Sequence, residues 1–148
     1  MLKDLASYLA IPYQWDGRDF SGCDCWGLVI FYLKNKFGIT LVDYQHGYRN
    51  SKEMVGTQIM IEKAYEDFLK VDNPQAGDIA VLRNGSRTPN HCGVMIDKDT
   101  MLHTYEGVGC HTSKLKEWED RLWGIYRHKD LTNENYIYSE RFGKRGTP

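Results

Sequence analysis

Two helices are indicated near the start of the chain by apolar positions that recur about every 3.6 residues. A helix over residues 3–9 places its leucines on one face, and Pro12 ends it. A second helix over residues 25–37 is apolar around much of its surface, so we expect it to be buried. Asp24 is suited to cap its N-terminus and Gly38 its C-terminus.

The pattern changes from helical to strand-like in the second half of the chain. A third helix is predicted over residues 51–68, before a turn at residues 73–78. Alternating or short apolar runs then predict strands at residues 79–82, 92–96, 101–105, 108–112 and 122–127. Helices followed by an antiparallel meander predict an α+β domain, with a helix packed on an antiparallel sheet.

Length and charge limit the classes of protein that the chain can be. With 148 residues, we expect one domain over residues 1–128 and a polar C-terminal tail over 129–148, for which a docking segment that orders on a partner is one interpretation. A net charge of −1 gives no electrostatic reason to expect a nucleic-acid partner. No apolar run is long enough for a membrane span, and the first residues do not have the pattern of a signal peptide.

The strongest chemical signal is the position of Cys25, where a loop rich in glycine and aspartate meets the second predicted helix. A thiol in the first turn of a helix lies at the positive end of the helix dipole, which favours the thiolate. The free backbone N–H of Cys25 would also be a suitable donor to an oxyanion. Cys25 is therefore a candidate nucleophile. The alternative is that Cys25 is a buried structural thiol.

Two histidines can supply the other groups that a cysteine nucleophile needs. His91 opens one predicted strand and His103 lies in the next, with a turn between them. In such a hairpin the two side chains can lie together, with His91 as the general base and His103 as the group that orients it. Asn90 is an alternative orienting residue.

Five separate segments, in order along the chain, resemble the NlpC/P60 cysteine peptidases, a compact branch of the papain-like fold. The matching segments are Tyr13-Gln14-Trp15-Asp16-Gly17, Asp24-Cys25-Trp26-Gly27-Leu28-Val29, Gln75-Ala76-Gly77-Asp78-Ile79, His91-Cys92-Gly93-Val94 and Met101-Leu102-His103. The resemblance implies an α+β papain-like fold in which the nucleophile begins a helix packed on an antiparallel sheet.

The resemblance also implies roles for individual residues. Cys25 would be the nucleophile, His91 the base and His103 the orienting residue. Tyr13 would help to stabilise the oxyanion, although a packing tyrosine is its alternative. Asp24 would shape the turn of the cysteine and the cleft, so the expected substrate-binding residues are Asp24, Trp26 and Trp15.

The chain departs from the cellular members of that family at two places. Trp26 replaces the serine that usually follows the nucleophile, and one glycine of the early loop is missing, which leaves Asp16-Gly17. The segment Asp24-Cys25-Trp26-Gly27-Leu28 and the closing segment of residues 123–127 are more similar to the branch found in bacteriophage tail-tip proteins.

The expected function is therefore a cysteine endopeptidase that hydrolyses peptidoglycan stem peptides, at the bond between D-glutamate and a diamino acid. It would act in a virion tail, or reside in the bacterial cytoplasm before assembly or lysis, with other phage tail proteins as candidate partners. No metal or organic cofactor is implied.

Three alternative functions remain open, and Cys23 has two interpretations. Cys23, Cys25, His91 and Cys92 could bind zinc, although their spacing is not that of a common zinc knuckle. The protein could be a structural tail component with little or no activity. It could also be an amidase or acyl transferase, because the same three residues serve hydrolysis and transfer. Cys23 could resolve an oxidised Cys25 or be a plain loop thiol.

Overall fold

A computed structural model describes residues 4–43 and 67–131 of the chain. Its elements are α1 (Leu5–Leu9), β1 (Arg18–Asp19), β2 (Gly22–Cys23), α2 (Cys25–Phe37), β3 (Phe68–Val71), β4 (Ile79–Leu82), β5 (His91–Met95), β6 (Thr100–His103), β7 (His111–Lys114), a 3₁₀ helix (Leu115–Arg121) and β8 (Leu122–His128). Nearly all of the predicted helix over 51–68 lies outside the described residues.

The bounds of α2 confirm the sequence prediction, because both of its ends are set by local signals. The Asp24 side chain accepts a hydrogen bond from the backbone N–H of Gly27, at 2.8 Å, and so caps the N-terminus. Gly38 ends the helix in a left-handed conformation, with φ 69°, that a residue without Cβ adopts at little cost. Helix α1 starts two residues later than predicted, because Asp4 is its N-cap.

Six strands form one antiparallel sheet in the order β3-β8-β4-β5-β6-β7. Strands β4 to β7 follow one another as the predicted meander, but β8 returns to lie between β3 and β4 and pairs with both. The predicted meander is therefore correct for β4 to β7 but not for β8. Phe68 was included in the predicted third helix, which is wrong at this position: Phe68 begins β3 and pairs with His128 of β8.

The main core lies between α2 and the sheet. Helix α2 packs mainly on β5, and the buried side chains there include Leu28, Leu33, Val81 and Val94. A second apolar cluster covers the opposite face of the sheet, around Trp118 of the 3₁₀ helix. None of the described helices has the length and apolar character needed to cross a bilayer.

The described part of the predicted tail is attached to the domain. The backbone N–H of Lys129 donates to the carbonyl oxygen of Asp67 at 2.8 Å. Leu131 is buried in the main core, against Gly77. The first residues of the predicted tail, 129–131, therefore contact the packed part of the chain.

Candidate active site

Cys25 is the first residue of α2 and lies in the wall of an open pocket. The residue is only 3% exposed. The N–H groups of a first helical turn have no carbonyl partner within the helix, and they give that end a partial positive charge. The sequence prediction of a thiol at a helix start is confirmed.

Two neighbours stabilise the thiolate of Cys25. Hydrogen bonds from Cys92 and His91, together with the charge of His91, outweigh the effect of burial and lower the pKa of Cys25 to about 6. Burial raises the pKa of the Cys92 thiol well above its ordinary value, so Cys92 stays protonated and donates to the sulfur of Cys25. Cys25 is therefore the thiol of this pair that ionises.

His91 and His103 lie in contact, as the sequence predicts. Nε2 of His91 is 2.8 Å from Nδ1 of His103. Because Gly93 pairs with His103 in the register of β5 and β6, His91 is the diagonal neighbour of His103 on the same face of the sheet. Asn90, the alternative orienting residue, is instead engaged by the backbone of Asn84. Its Oδ1 accepts from the N–H of Asn84, and its Nδ2 donates to the carbonyl oxygen of Asn84.

The second ring nitrogen of His103 has its own partner, which no sequence signal indicated. Nε2 of His103 is 2.8 Å from Oγ of Ser113, on the neighbouring strand β7. The His103 side chain is fully buried and packs against the rings of His111 and Trp118, at centroid distances of 4.1 and 5.2 Å. Burial lowers the pKa of His103 to about 2, so this imidazole is neutral at any pH near 7.

The pocket beside Cys25 has a volume of about 320 Å³. Its described lining residues are Tyr13, Cys25, Asn84, Asn90, His91, Thr104, Tyr105 and Glu106. Tyr13 thus lines the same pocket as Cys25, and its role at the oxyanion stays a prediction. Its backbone is fixed by a bridge to Cys23, two residues before Cys25. Cys25, His91 and Tyr13 therefore lie around one pocket.

Asp24 holds the loop that precedes Cys25. One carboxylate oxygen accepts from Gly27 N–H and from the Arg18 guanidinium, at 2.8 and 3.0 Å, and the other accepts from the backbone N–H of Asp16 at 2.9 Å. Asp16 has φ 61°, a left-handed conformation that aspartate tolerates better than most residues. Asp16 therefore occupies the place of the missing glycine with its N–H tied to Asp24.

Asp24 and Trp26 are both buried. Both were predicted to bind substrate; they are 0% and 2% exposed and are not among the described residues that line the pocket beside Cys25. The indole N–H of Trp26 donates to the carbonyl oxygen of Val42 at 3.1 Å, which ties α2 to the segment that follows it. Trp15, the third predicted binding residue, is 40% exposed.

The remaining thiols form a separate pair. All four cysteines are reduced and buried, and Cys23 hydrogen bonds to Cys110, which raises the pKa of Cys23 far above its ordinary value. Cys23 is thus engaged by a partner other than Cys25. Within residues 4–43 and 67–131, no group of three or more His, Cys, Asp or Glu side chains is arranged to hold a metal ion.

A cysteine at a helix N-terminus beside a histidine on an antiparallel sheet is typical of the papain-like fold. Residues 10–127 match the NlpC/P60 family, and the chain belongs to that family. The comparison covers the pocket, both histidines and all of α2.

Relatives of two kinds are similar to the chain. It is 31% identical over 114 residues to Tail tip assembly protein K of Escherichia phage N15, a match that covers 73% of the chain and 46% of that protein. It is 24% identical over 126 residues to the probable endopeptidase NlpC of Escherichia coli K12, a match that covers 83% of the chain and 73% of that protein. The chain therefore spans about half the length of the tail tip protein.

The fold is shared with solved members of the family. The NlpC/p60 domain of the peptidoglycan hydrolase SagA superposes with a TM-score of 0.55 at 16% identity, over 81% of the chain and 89% of that domain. The predicted α+β papain-like fold is thus confirmed.

Proposed function

We propose that the protein is a cysteine peptidase that hydrolyses amide bonds in peptidoglycan stem peptides. The observation that carries this proposal is the arrangement around Cys25: a thiol at the start of a buried helix lies in one pocket with His91, and its pKa is lowered to about 6. His91 is in turn held 2.8 Å from His103. A structural thiol needs neither a lowered pKa nor an oriented base.

The geometry supports a two-step acyl transfer to water. Nε2 of His91 is engaged by His103, which leaves Nδ1 of His91 for the thiol. The thiolate of Cys25 attacks the amide carbonyl, and the imidazolium of His91 gives its proton to the departing amine. His91 then takes a proton from water as that water attacks the thioester, which frees Cys25.

Two groups beside the sulfur are placed to stabilise the tetrahedral oxyanion. The backbone N–H of Cys25 belongs to the first turn of α2, and the Tyr13 side chain lines the same pocket. We assign both as oxyanion donors. Trp15, exposed on the loop that follows Tyr13, is assigned to substrate contact. Asp24 and Trp26 act on binding through the loop that they hold.

We place this activity in a bacteriophage or prophage tail. The support is the similarity to a phage tail tip assembly protein, although the chain covers only 46% of that protein. We further infer that the scissile bond joins D-glutamate to a diamino acid, and this rests on family membership. Other tail proteins are then its partners, and the protein opens the cell wall locally.

Mass spectrometry of purified sacculi tests the proposal and identifies the bond. Gram-negative and Gram-positive sacculi are incubated with the protein and, in parallel, with the Cys25→Ala variant. We expect new stem-peptide fragments with the wild-type protein only. Fragments joined to an added amine would indicate an acyl transferase, and sacculi left intact by a folded protein would support the structural tail component instead.

A further inference from the structure

We propose that Ser113 is a positioning residue that holds His103 in the one tautomer that leaves His91 free to act as a base. This proposal rests on the roles assigned to Cys25 and His91 under the proposed function. Its evidence is a continuous line of hydrogen bonds, from His91 Nε2 to His103 Nδ1 at 2.8 Å and from His103 Nε2 to Ser113 Oγ at 2.8 Å.

The same register rule places all three side chains on one face of the sheet. His91 and His103 are diagonal neighbours across β5 and β6. His103 pairs with His111 and Met101 pairs with Ser113 across β6 and β7, so His103 and Ser113 are diagonal neighbours as well. The strands themselves therefore bring the hydroxyl to the far side of the His103 ring.

The tautomer of His103 matters because this imidazole is neutral. Burial, reinforced by the charges of His91, His111 and Arg121, lowers the pKa of His103 to about 2. A neutral imidazole carries one N–H, on either Nδ1 or Nε2, and the other nitrogen can only accept. His103 can therefore accept from one of its two partners and must donate to the other.

Only one of the two arrangements is competent for catalysis. If His103 carries its proton on Nε2, it donates to Ser113 and accepts from Nε2–H of His91, so that Nδ1 of His91 is free to take the thiol proton. If His103 carries its proton on Nδ1, it donates to Nε2 of His91, and a neutral His91 must then keep its own proton on Nδ1. In that state His91 cannot accept a proton from Cys25.

The competent arrangement also survives proton transfer. An imidazolium at His91 has N–H groups on both nitrogens, and its Nε2–H still finds an acceptor at Nδ1 of His103. The Ser113 hydroxyl acts here as an acceptor, and its own hydrogen can go to water because Ser113 is half-buried on the edge strand β7. Ser113 does not line the pocket, so it acts on the reaction only through His103.

The test compares Ser113→Ala with two matched variants. Ser113→Thr keeps the hydroxyl, and Thr112→Ala removes one from the neighbouring exposed position on the opposite face of β7. Two measurements need no substrate: ¹⁵N NMR of the histidine side chains, which reports the nitrogen that carries the proton, and alkylation of Cys25 at pH 7 by iodoacetamide, followed by tandem mass spectrometry. Turnover of sacculi supplies kcat and KM.

We expect the wild-type protein to show His103 protonated on Nε2, and Ser113→Ala to show a mixture of tautomers. Loss of one hydrogen bond to a buried group should reduce kcat about 3- to 10-fold, with KM unchanged. It should slow the alkylation of Cys25 at pH 7 by less than about fivefold, because a more basic thiolate is also more nucleophilic. Ser113→Thr and Thr112→Ala should match the wild type.

Two results would overturn the role of Ser113. One is a wild-type His103 protonated on Nδ1, a result that needs no variant to fold. The other is a folded Ser113→Ala protein with wild-type tautomer, alkylation and kcat. A protein that shows the expected NMR and alkylation changes but releases no wall fragments would support the role of Ser113 and contradict the proposed function.

Discussion

Alkylation of Cys25 by iodoacetamide should follow a titration curve with its midpoint near pH 6. The pKa of this thiol is lowered from the ordinary 9.0 to about 6, by the hydrogen bond from Cys92 first and by His91 after it. Because the thiolate is the reactive form, the alkylation rate should rise as pH rises through 6 and then remain level.

The size of the effect shows why the midpoint is the quantity to measure. At pH 7 a thiol with a pKa of about 6 is roughly nine-tenths thiolate, whereas one with a pKa of 9.0 is about one-hundredth thiolate. The less basic thiolate is intrinsically about 20-fold less reactive, for a Brønsted coefficient of about 0.4–0.5. The net gain in rate at pH 7 is then only about fivefold, while the midpoint moves by about three pH units.

The Cys92→Ala variant separates the two causes. It removes the thiol donor and leaves His91 in place, so the midpoint for Cys25 should move upward, to between 6 and 9. Rates are measured from pH 4.5 to 10 by mass spectrometry of the Cys25 peptide, and Cys110→Ala serves as the control because Cys110 is paired with Cys23. A wild-type midpoint near 9, or a Cys92→Ala midpoint equal to that of the wild type, would refute this explanation.

Two further substitutions test the support of the nucleophile and its base. His103→Ala should reduce kcat on sacculi on the order of 100-fold or more, because a base without its orienting partner samples unproductive positions and tautomers; an unchanged kcat would mean that another residue orients His91. Asp24→Ala removes an N-cap and leaves the guanidinium of Arg18 without its buried partner, so it should lower the free energy of unfolding by about 2–4 kcal/mol in urea titrations. Asp24→Asn, which keeps the cap, should cost less, and equal losses for the two variants would contradict a role for the charge.

Helix α2 and the place of Cys25 at its start could be predicted from the sequence because their signals are local. Asp24 before the helix and Gly38 after it set both ends of α2, and the helix start placed Cys25 at a helix N-terminus. The pairing of His91 with His103 followed from one hairpin, in which register and strand direction are fixed by a short turn.

The parts that the sequence did not predict depend on contacts between distant segments. Strand β8 lies between β3 and β4, a pairing that the order of elements does not specify. Trp118 belongs to a 3₁₀ helix too short for a periodic signal, yet it packs on both His91 and His103. Ser113 is one polar residue on an edge strand, and only the register of β6 and β7 brings it to His103.

The burial of Asp24 could also not be predicted from the sequence. From the sequence, an aspartate beside the nucleophile is equally suited to bind substrate or to cap the helix. The three hydrogen bonds to Asp24 from Gly27, Arg18 and Asp16 use both carboxylate oxygens inside the domain. The loop between β2 and α2 is therefore fixed from within, and the cleft is built from Tyr13 and the strands opposite.

The most direct test of whether Cys25 is the nucleophile of a wall hydrolase is the release of stem-peptide fragments from sacculi. The Cys25→Ala and Cys23→Ala variants are compared with the wild-type protein. The two thiols are two residues apart, but only Cys25 begins α2 and hydrogen bonds to His91. We predict that Cys25→Ala releases no fragments above the level without protein, and that Cys23→Ala releases them at a rate within a few-fold of the wild type. Fragment release by a folded Cys25→Ala protein at the wild-type rate would contradict the mechanism.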